Sequence, residues 1–357
     1  VATFEELDAD GHEQVVFCRH RPSGLRAIIA LHSTALGPGL GGVRFKPYAT
    51  EDDALRDVLR LSHGMTYKNA AAGLDLGGGK AVIIGDPREL RSEVLFRAYG
   101  RFVHGLNGRY LTAEDVGTTI DDMATIRRET PHVTGTATEL GGSGDPSPAT
   151  AVGVLHAMRA GAERLWGSDD LTGRHVVVTG VGKVGGALAG HLVAAGAKVT
   201  VADVDADRLR AVATAIGADV VAPREAHTIP CDVFAPCALG AVLTSTTIPQ
   251  LRCEAVVGSA NNQLGEEADA ERLADAGIAY VPDFVANAGG VINIAEELRG
   301  YDASRALHAV GAIRATTAAV LHTAEAEGIT TEAAANRIAE RRIEAVSGLT
   351  SLRPGGS

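Results

Sequence analysis

Lysine is scarce in this 357-residue chain: of 33 basic residues only five are lysines, namely Lys46, Lys68, Lys80, Lys183 and Lys198. Basic runs are absent and the formal net charge is −11. An acidic chain without a basic stripe repels a phosphate backbone, so no nucleic acid is expected as partner. No stretch approaches the ~20 uncharged apolar residues that span a bilayer, so no membrane partner is expected either. The opening VATFEELDADGHEQ is acidic and lacks the apolar core of a signal peptide. Cysteine is also rare. Cys18, Cys231, Cys237 and Cys253 show neither CxxC pairing nor zinc spacing. Free thiols fit a reducing compartment, and the expected location is the cytoplasm. Twelve histidines form no HExxH, so no metal site is expected.

What is present is enough apolar residue, 45% of the chain, for two domains with sizeable cores. QVVFC (14–18) and LRAIIALH (25–32) read as strands joined by the turn RHRPSG, a hairpin. GGVRF (41–45) reads as another strand. Thr50 with Asp53 resembles a capping box opening an amphipathic helix that carries Leu55, Val58, Leu59 and Leu61. KAVII (80–84) is a strand, Ser92 caps a second helix, and GRYLT (108–112) is a short strand ending at Ala113, Glu114 and Asp115. GGSGDPSP (141–148) reads as a hinge. A helix over 149–165 follows. Repeated strand–helix units then lead through strands at 231–236, 254–259 and 278–282, which argues for a parallel, doubly wound sheet. The chain from about Asn293 is alanine-rich and helical, and SLRPGGS is expected to be a disordered tail.

GVGKVG places Gly180, Gly182 and Gly185 in GxGxxG spacing. The motif follows an apolar strand, opens a helix through Lys183 and Val184, and is followed by a strand ending at Asp203, 18 residues after Gly185. That context is the dinucleotide fingerprint. Gly180 permits the tight turn, Gly182 the approach of a pyrophosphate, and Gly185 the packing of helix on strand. The helix N-terminus offers free N–H groups to phosphate. A carboxylate at 203 accepts ribose hydroxyls and repels a 2′-phosphate, which favours NAD over NADP. A glycine turn in a domain that binds nothing is the plain alternative.

GLDLGGGKAVIIGDP (73–87) sets three glycines before Lys80. It is not a phosphate loop, because Leu74 and Ala81 stand where glycine and Ser/Thr would be required. The glycines are expected to clear space for a small substrate beside Lys80. Lysine, unlike arginine, loses its proton when desolvated or crowded by a second cation. Lys68 is twelve residues upstream, and a helix end and a turn between them would bring both ammonium groups into one cleft. Two ordinary surface lysines remain the alternative. Asp115 reads equally as a turn residue. GPGLGG (37–42) offers backbone N–H groups to a carboxylate or is only a turn. Asn262 in SANNQ reads as a ligand-facing amide or as an Asx turn.

In order, and over nearly the whole chain, LGPGLGG, GMTYKNAAAGL, LDLGGGKAVIIGDP, GRYLTAEDVGTT, DVFAPCALGA, ANNQL and PDFVANAGGVINIAEEL resemble the glutamate/leucine/phenylalanine/valine dehydrogenase family, and within it the branch acting on leucine. The resemblance implies two α/β domains separated by a cleft. Residues 1–140, completed by helices from about 330–357, would bind substrate and oligomerise; 149–329 would be a Rossmann-type NAD-binding domain. The activity implied is reversible, NAD-dependent oxidative deamination of an L-amino acid to its 2-oxo acid and ammonia by a homo-oligomer. By position, Lys68 with the backbone at Gly41 and Gly42 would hold the α-carboxylate. Lys80 would be a low-pKa base that activates water, and Asp115 a proton relay. Asn262, Ser147 and Thr150 would position substrate and nicotinamide, with Ala238 also at the coenzyme. Leu40, Ala113, Val291 and Ile294 would line the side-chain pocket. All four are apolar, which implies a branched aliphatic substrate: leucine, valine or isoleucine. Ile294 is larger than the valine expected, and Gly39 stands where alanine is expected. A phenylalanine dehydrogenase and a non-catalytic NAD-binding sensor on the same fold are the competing readings.

Overall fold

The computed structural model describes residues 3–238 and 240–348. The SLRPGGS tail lies outside the described residues. The chain divides into two compact units, described separately below.

In the first unit, β1 (Gln14–His20) and β2 (Leu25–Ser33) form the expected antiparallel hairpin, closed with Gly24 at φ 72. β3 (Gly39–Lys46) precedes α1 (Glu51–Ala71). Thr50 and Asp53 make the capping box, with reciprocal backbone-to-side-chain bonds of 3.1 Å each, which satisfy two donors the helix itself leaves open. β4 (Gly77–Ile84), α2 (Glu93–His104), β5 (Tyr110–Glu114) and α3 (Ile120–Arg127) follow. Two boundaries differ from the sequence reading. β4 begins at Gly77, so the three glycines lie inside the strand and not before it. β5 runs on through Ala113 and Glu114.

The sheet order is β1-β2-β4-β3-β5, with β3 parallel to β4 and β5 and the other pairs antiparallel. The pleat sends alternate residues to opposite faces. Ile28, Ala30 and Val82 pack with Ala54, Leu55, Val58 and Leu59 of α1 on one face. Ile29, Val43, Phe45, Ala81 and Ile83 pack with Phe96, Tyr99, Met123 and Ile126 of α2 and α3 on the other.

The second unit opens with α4 (Ser147–Trp166). It starts two residues before the helix read from sequence, because Pro148 sits in the first turn, where a missing N–H costs nothing. β6 (His175–Thr179), α5 (Lys183–Ala194), β7 (Lys198–Ala202), α6 (Ala206–Ile216), β8 (Asp219–Val220), β9 (Val233–Pro236), β10 (Ala255–Val256) and β11 (Ala279–Tyr280) build an all-parallel sheet ordered β11-β10-β9-β6-β7-β8. The order reverses between β6 and β9, the switch point at which such sheets bind ligands.

The sequence reading divided the chain into 1–140 with helices from about 330–357, and 149–329. The first unit runs to Asp145 and also takes Ile294–Ala303 and the chain from Ala339; the second holds Pro146–Asn293 and Ser304–Ile338. Glu297 ties the returning segment down. Its Oε1 accepts the backbone N–H groups of Gly135 at 2.9 Å and Ser143 at 2.7 Å. The second return falls inside the helix Thr331–Ser347, where neither glycine nor proline marks a break.

Candidate active site

In the first unit, one face of the sheet gathers the chemistry. Val82 points toward α1, so by alternation Gly78 and Lys80 do too. Val43 and Phe45 point to the other face, which leaves Leu40, Gly42 and Arg44 on the face of α1. β5 is registered on β3 with Gly42 opposite Ala113 and Leu40 opposite Leu111, which puts Ala113 on that same face. Asp115 follows directly. The turn after β5 pins it: its N–H donates to Thr118 Oγ1 at 2.9 Å, and the Thr118 hydroxyl donates to Val43 O at 3.0 Å.

Lys80 Nζ lies 2.6 Å from Asp115 Oδ2, and both side chains are largely buried. Arg44 Nε approaches the same oxygen at 3.4 Å. The far end of Arg44 is held in turn by Asp57 of α1, with Nη1 at 3.0 Å from Oδ2 and 3.3 Å from Oδ1. Tyr48 donates to Asp57 at 2.8 Å. Burial alone pushes the Asp115 carboxyl up. The Lys80 and Arg44 charges and the hydrogen bond from Lys80 outweigh it and bring it down to about 2. Asp115 is therefore a carboxylate near neutral pH. Lys68 sits in the last turn of α1, just beyond Met65 and Thr66, which lie over Gly41 and Gly78. Ile294 belongs to this unit and lies beside Gly135.

The glycine run does not leave the space expected of it. A Cβ on Gly78 would sit 2.0 Å from Thr66 Oγ1 and 2.4 Å from Ser62 O; one on Gly79 would sit 2.7 Å from the Tyr110 ring. The missing side chains are filled by α1 and Tyr110, and what they permit is α1 lying flat on β4. Gly42 does similar work, since a Cβ there would come within 2.9 Å of Asp115 Cβ. At Gly39 the nearest atom to a Cβ is in the Leu31 side chain, at 2.9 Å, a matter of packing.

In the second unit the three glycines separate by role. Gly180 holds φ 87, and a Cβ on it would sit 2.6 Å from that of Ala238, in the loop after β9. A Cβ on Gly185 would sit 1.9 Å from Gly180 O, so this glycine sets the close approach of α5 to the turn. Gly182, the residue before α5, has nothing within 4 Å on its open side, and no side chain caps the helix that begins at Lys183. Val184 is half-buried in that first turn. Asp203 stands at the tip of β7. Its Oδ2 accepts Val181 N–H at 2.8 Å, its Oδ1 accepts Asp205 N–H at 2.8 Å, and Arg208 reaches both oxygens. Asn262 is exposed in the left-handed region at φ 53, which asparagine tolerates, and its carbonyl accepts Ala241 N–H at 2.6 Å. Ser147 opens α4, and the Thr150 hydroxyl donates to Pro146 O at 3.0 Å. A Cβ on Gly290 would sit 2.7 Å from Thr150 Oγ1, which puts buried Val291 next in the chain to that contact.

The chain matches known proteins over nearly its whole length. Residues 12–132 match the family model described as Glu/Leu/Phe/Val dehydrogenase, dimerisation domain; residues 141–207 and 205–347 match the model for glutamate/leucine/phenylalanine/valine dehydrogenase. The chain is 52% identical to a leucine dehydrogenase of Bacillus cereus over 99% of its length and 97% of that protein's. It is 53% identical to a valine dehydrogenase of Streptomyces virginiae, covering 96% of each.

The chain belongs to the glutamate/leucine/phenylalanine/valine dehydrogenase family. Among solved structures, the L-tryptophan dehydrogenase of Nostoc punctiforme superposes with a TM-score of 0.86 at 44% identity, covering 97% of this chain and 99% of that one. In this family member the second unit fits a dinucleotide on its own geometry. The N-terminus of α5, which no side chain caps, and the open side of Gly182 would receive a pyrophosphate. Asp203 stands where ribose hydroxyls would lie. Sequence reasoning missed Arg44, Asp57 and Asn69. The Asn69 amide donates to Gly77 O at 2.6 Å and Leu40 O at 3.4 Å, tying β4 to β3. The signal for Arg44 was its place two residues after Gly42 in one strand. Among the described residues no His/Cys/Asp/Glu group has the arrangement of a metal site, and no helix is long and apolar enough to cross a membrane.

Proposed function

We propose that the protein catalyses the reversible, NAD-dependent oxidative deamination of a branched-chain aliphatic L-amino acid to its 2-oxo acid and ammonia. The observation that carries this is the buried Lys80–Asp115 pair at 2.6 Å. The nicotinamide, when bound, supplies a two-electron acceptor for the hydrogen on substrate Cα. Lys68 and the N–H groups at Gly41 and Gly42 hold the α-carboxylate. In its neutral amine form Lys80 takes the proton of the water that attacks the oxidised carbon. Asp115, in direct contact, exchanges protons with Lys80 and with the substrate nitrogen, so no side chain has to travel between steps. Leu40, Ala113 and Ile294 of the first unit are apolar and offer no cation to a second carboxylate; a glutamate side chain would be left buried and unpaired, at a cost of several kcal/mol. The Bacillus and Streptomyces relatives named for leucine and valine support the same reading. The protein assembles as a homo-oligomer through the residues that match the dimerisation model.

The test is a panel of leucine, valine, isoleucine, phenylalanine and tryptophan with NAD and NADP in parallel, followed by formation of reduced coenzyme at alkaline pH. The three branched substrates should lead in kcat/KM. An aromatic substrate ahead of all three would reassign the pocket, and a flat trace with every amino acid would mean a coenzyme sensor. Lys80→Ala should abolish turnover while leaving NADH binding within about twofold, since position 80 belongs to the first unit and the glycine turn to the second.

A further inference from the structure

We infer that Arg208 is a specificity-determining residue for the coenzyme: paired to Asp203, it weakens that carboxylate's refusal of a 2′-phosphate, so that the protein binds NADPH as well as NADH, with NADH the tighter. The inference rests on the proposed nicotinamide chemistry and extends it to the second coenzyme.

The argument begins with a count of donors. An ionised carboxylate offers about four acceptor sites on its two oxygens. At Asp203 all are taken. Oδ2 accepts from Val181 N at 2.8 Å and from Arg208 Nε at 3.3 Å; Oδ1 accepts from Asp205 N at 2.8 Å and from Arg208 Nη2 at 2.9 Å. The two backbone donors are fixed by the glycine turn and by the turn into α6. The two from Arg208 are not, because that side chain is 45% exposed while Asp203 is 5% exposed. A ribose diol therefore reaches Asp203 only by displacing the guanidinium. The displaced group keeps its charge and its fork of donors within a side chain's length of the ribose 2′ position, and a guanidinium matches phosphate geometry.

Neighbouring charges limit the effect without cancelling it. Asp205 Oδ2 lies 3.6 Å from Arg208 Nη2, but Asp205 Oδ1 is committed to the Asp207 and Arg208 backbone N–H groups at the start of α6. Asp207 pairs with Arg210 at 3.3 Å. A lone carboxylate at position 203 would meet a 2′-phosphate as bare like charge. With Arg208 beside it the pair is close to neutral.

The test is fluorescence titration of the full-length protein with NADH and with NADPH at one fixed ionic strength. The proteins compared are the wild type, Arg208→Ala, Arg208→Lys and Asp203→Asn. Wild type should bind both coenzymes. Arg208→Ala should leave NADH binding unchanged or tighter and weaken NADPH, raising the NADH-to-NADPH affinity ratio about fivefold, the size expected of a half-exposed charge contact. Arg208→Lys should fall between. Asp203→Asn keeps an acceptor oxygen for one of the two backbone N–H groups, removes the charge that holds the guanidinium, and should narrow or reverse the ratio. A ratio unchanged within about twofold in Arg208→Ala, or wild type that binds NADH and no NADPH, would overturn the inference and leave the proposed function standing. Wild type that binds neither coenzyme would overturn both.

Discussion

Asp115 is a carboxylate held by two cations, and its protonation is measurable apart from catalysis. Its folded pKa is about 2 against an ordinary 3.8. The stabilisation from its ionised form is present above pH 3.8 and is lost as the pH falls through about 2. The shift corresponds to about 2 kcal/mol. The thermal midpoint of wild type should therefore fall more steeply with acid below pH 3.8 than that of Asp115→Asn, and parallel curves would mean the pair contributes nothing. Arg44 touches Asp115 and, through Asp57, anchors it to α1. As a positioning residue it should show itself in the pH profile. Arg44→Gln should lower kcat by ~10–100-fold and move the acid limb of the kcat profile to higher pH, with NADH binding unchanged; Arg44→Lys should restore part of both. Loss of kcat without any movement of the profile would reduce Arg44 to packing.

Glycines that look alike in the sequence do unlike work in the elements, and the difference can be tested within one turn. Gly182→Ala introduces a methyl group into open space at φ −67, so the fold should tolerate it, yet the methyl lies on the side where a pyrophosphate would approach. NADH binding should weaken ~10-fold or more with an unchanged thermal midpoint. Gly185→Ala meets Gly180 O at 1.9 Å, and backbone must move; it should cost ~1–3 kcal/mol of stability. If both variants lose stability alike, the open side of Gly182 is not a ligand side. The same contrast explains what could be read from the sequence. The hairpin, the capping box at Thr50, the Gly180–Gly185 turn and the parallel strands each carry a local signature of type and spacing. β2 and β4 are covered on both faces, so Ala27–Leu31 and Ala81–Ile84 are apolar without a break, and alternation could not reveal that Gly78, Lys80 and Arg44 share a face. The three glycines before Lys80 read as room for a substrate because the sequence does not show which helix crosses them. Asp57 sits 13 positions from Arg44, on a helix that only the folded sheet brings back over β3.

The chain leaves the first unit at Asp145 and comes back to it twice, and the second return reaches the end of α1. The last carbonyls of a helix have no intrahelical donors, and its C-terminus favours a cation. Arg342 supplies both. Its Nη1 donates to Leu74 O at 2.6 Å and Ala70 O at 3.3 Å, and its Nη2 donates to Gly73 O at 3.1 Å and Asp75 Oδ1 at 2.8 Å. Tyr67 adds a bond to Glu340 at 3.2 Å. Lys68 lies in that same last turn, so residues near the end of the chain hold the helix end that presents a proposed substrate ligand. Arg342→Ala removes four donor contacts to oxygens that solvent then has to satisfy, and should lower stability by ~1–3 kcal/mol. Its more specific consequence is kinetic. The KM for the amino acid should rise ~10-fold while NADH affinity stays constant, because the glycine turn belongs to the other unit. Arg342→Lys keeps the charge and loses the fork, and should recover less than half of the change in KM on a logarithmic scale. Equal weakening of substrate and coenzyme would show that the C-terminal return supports the protein at large and has no particular hold on the end of α1.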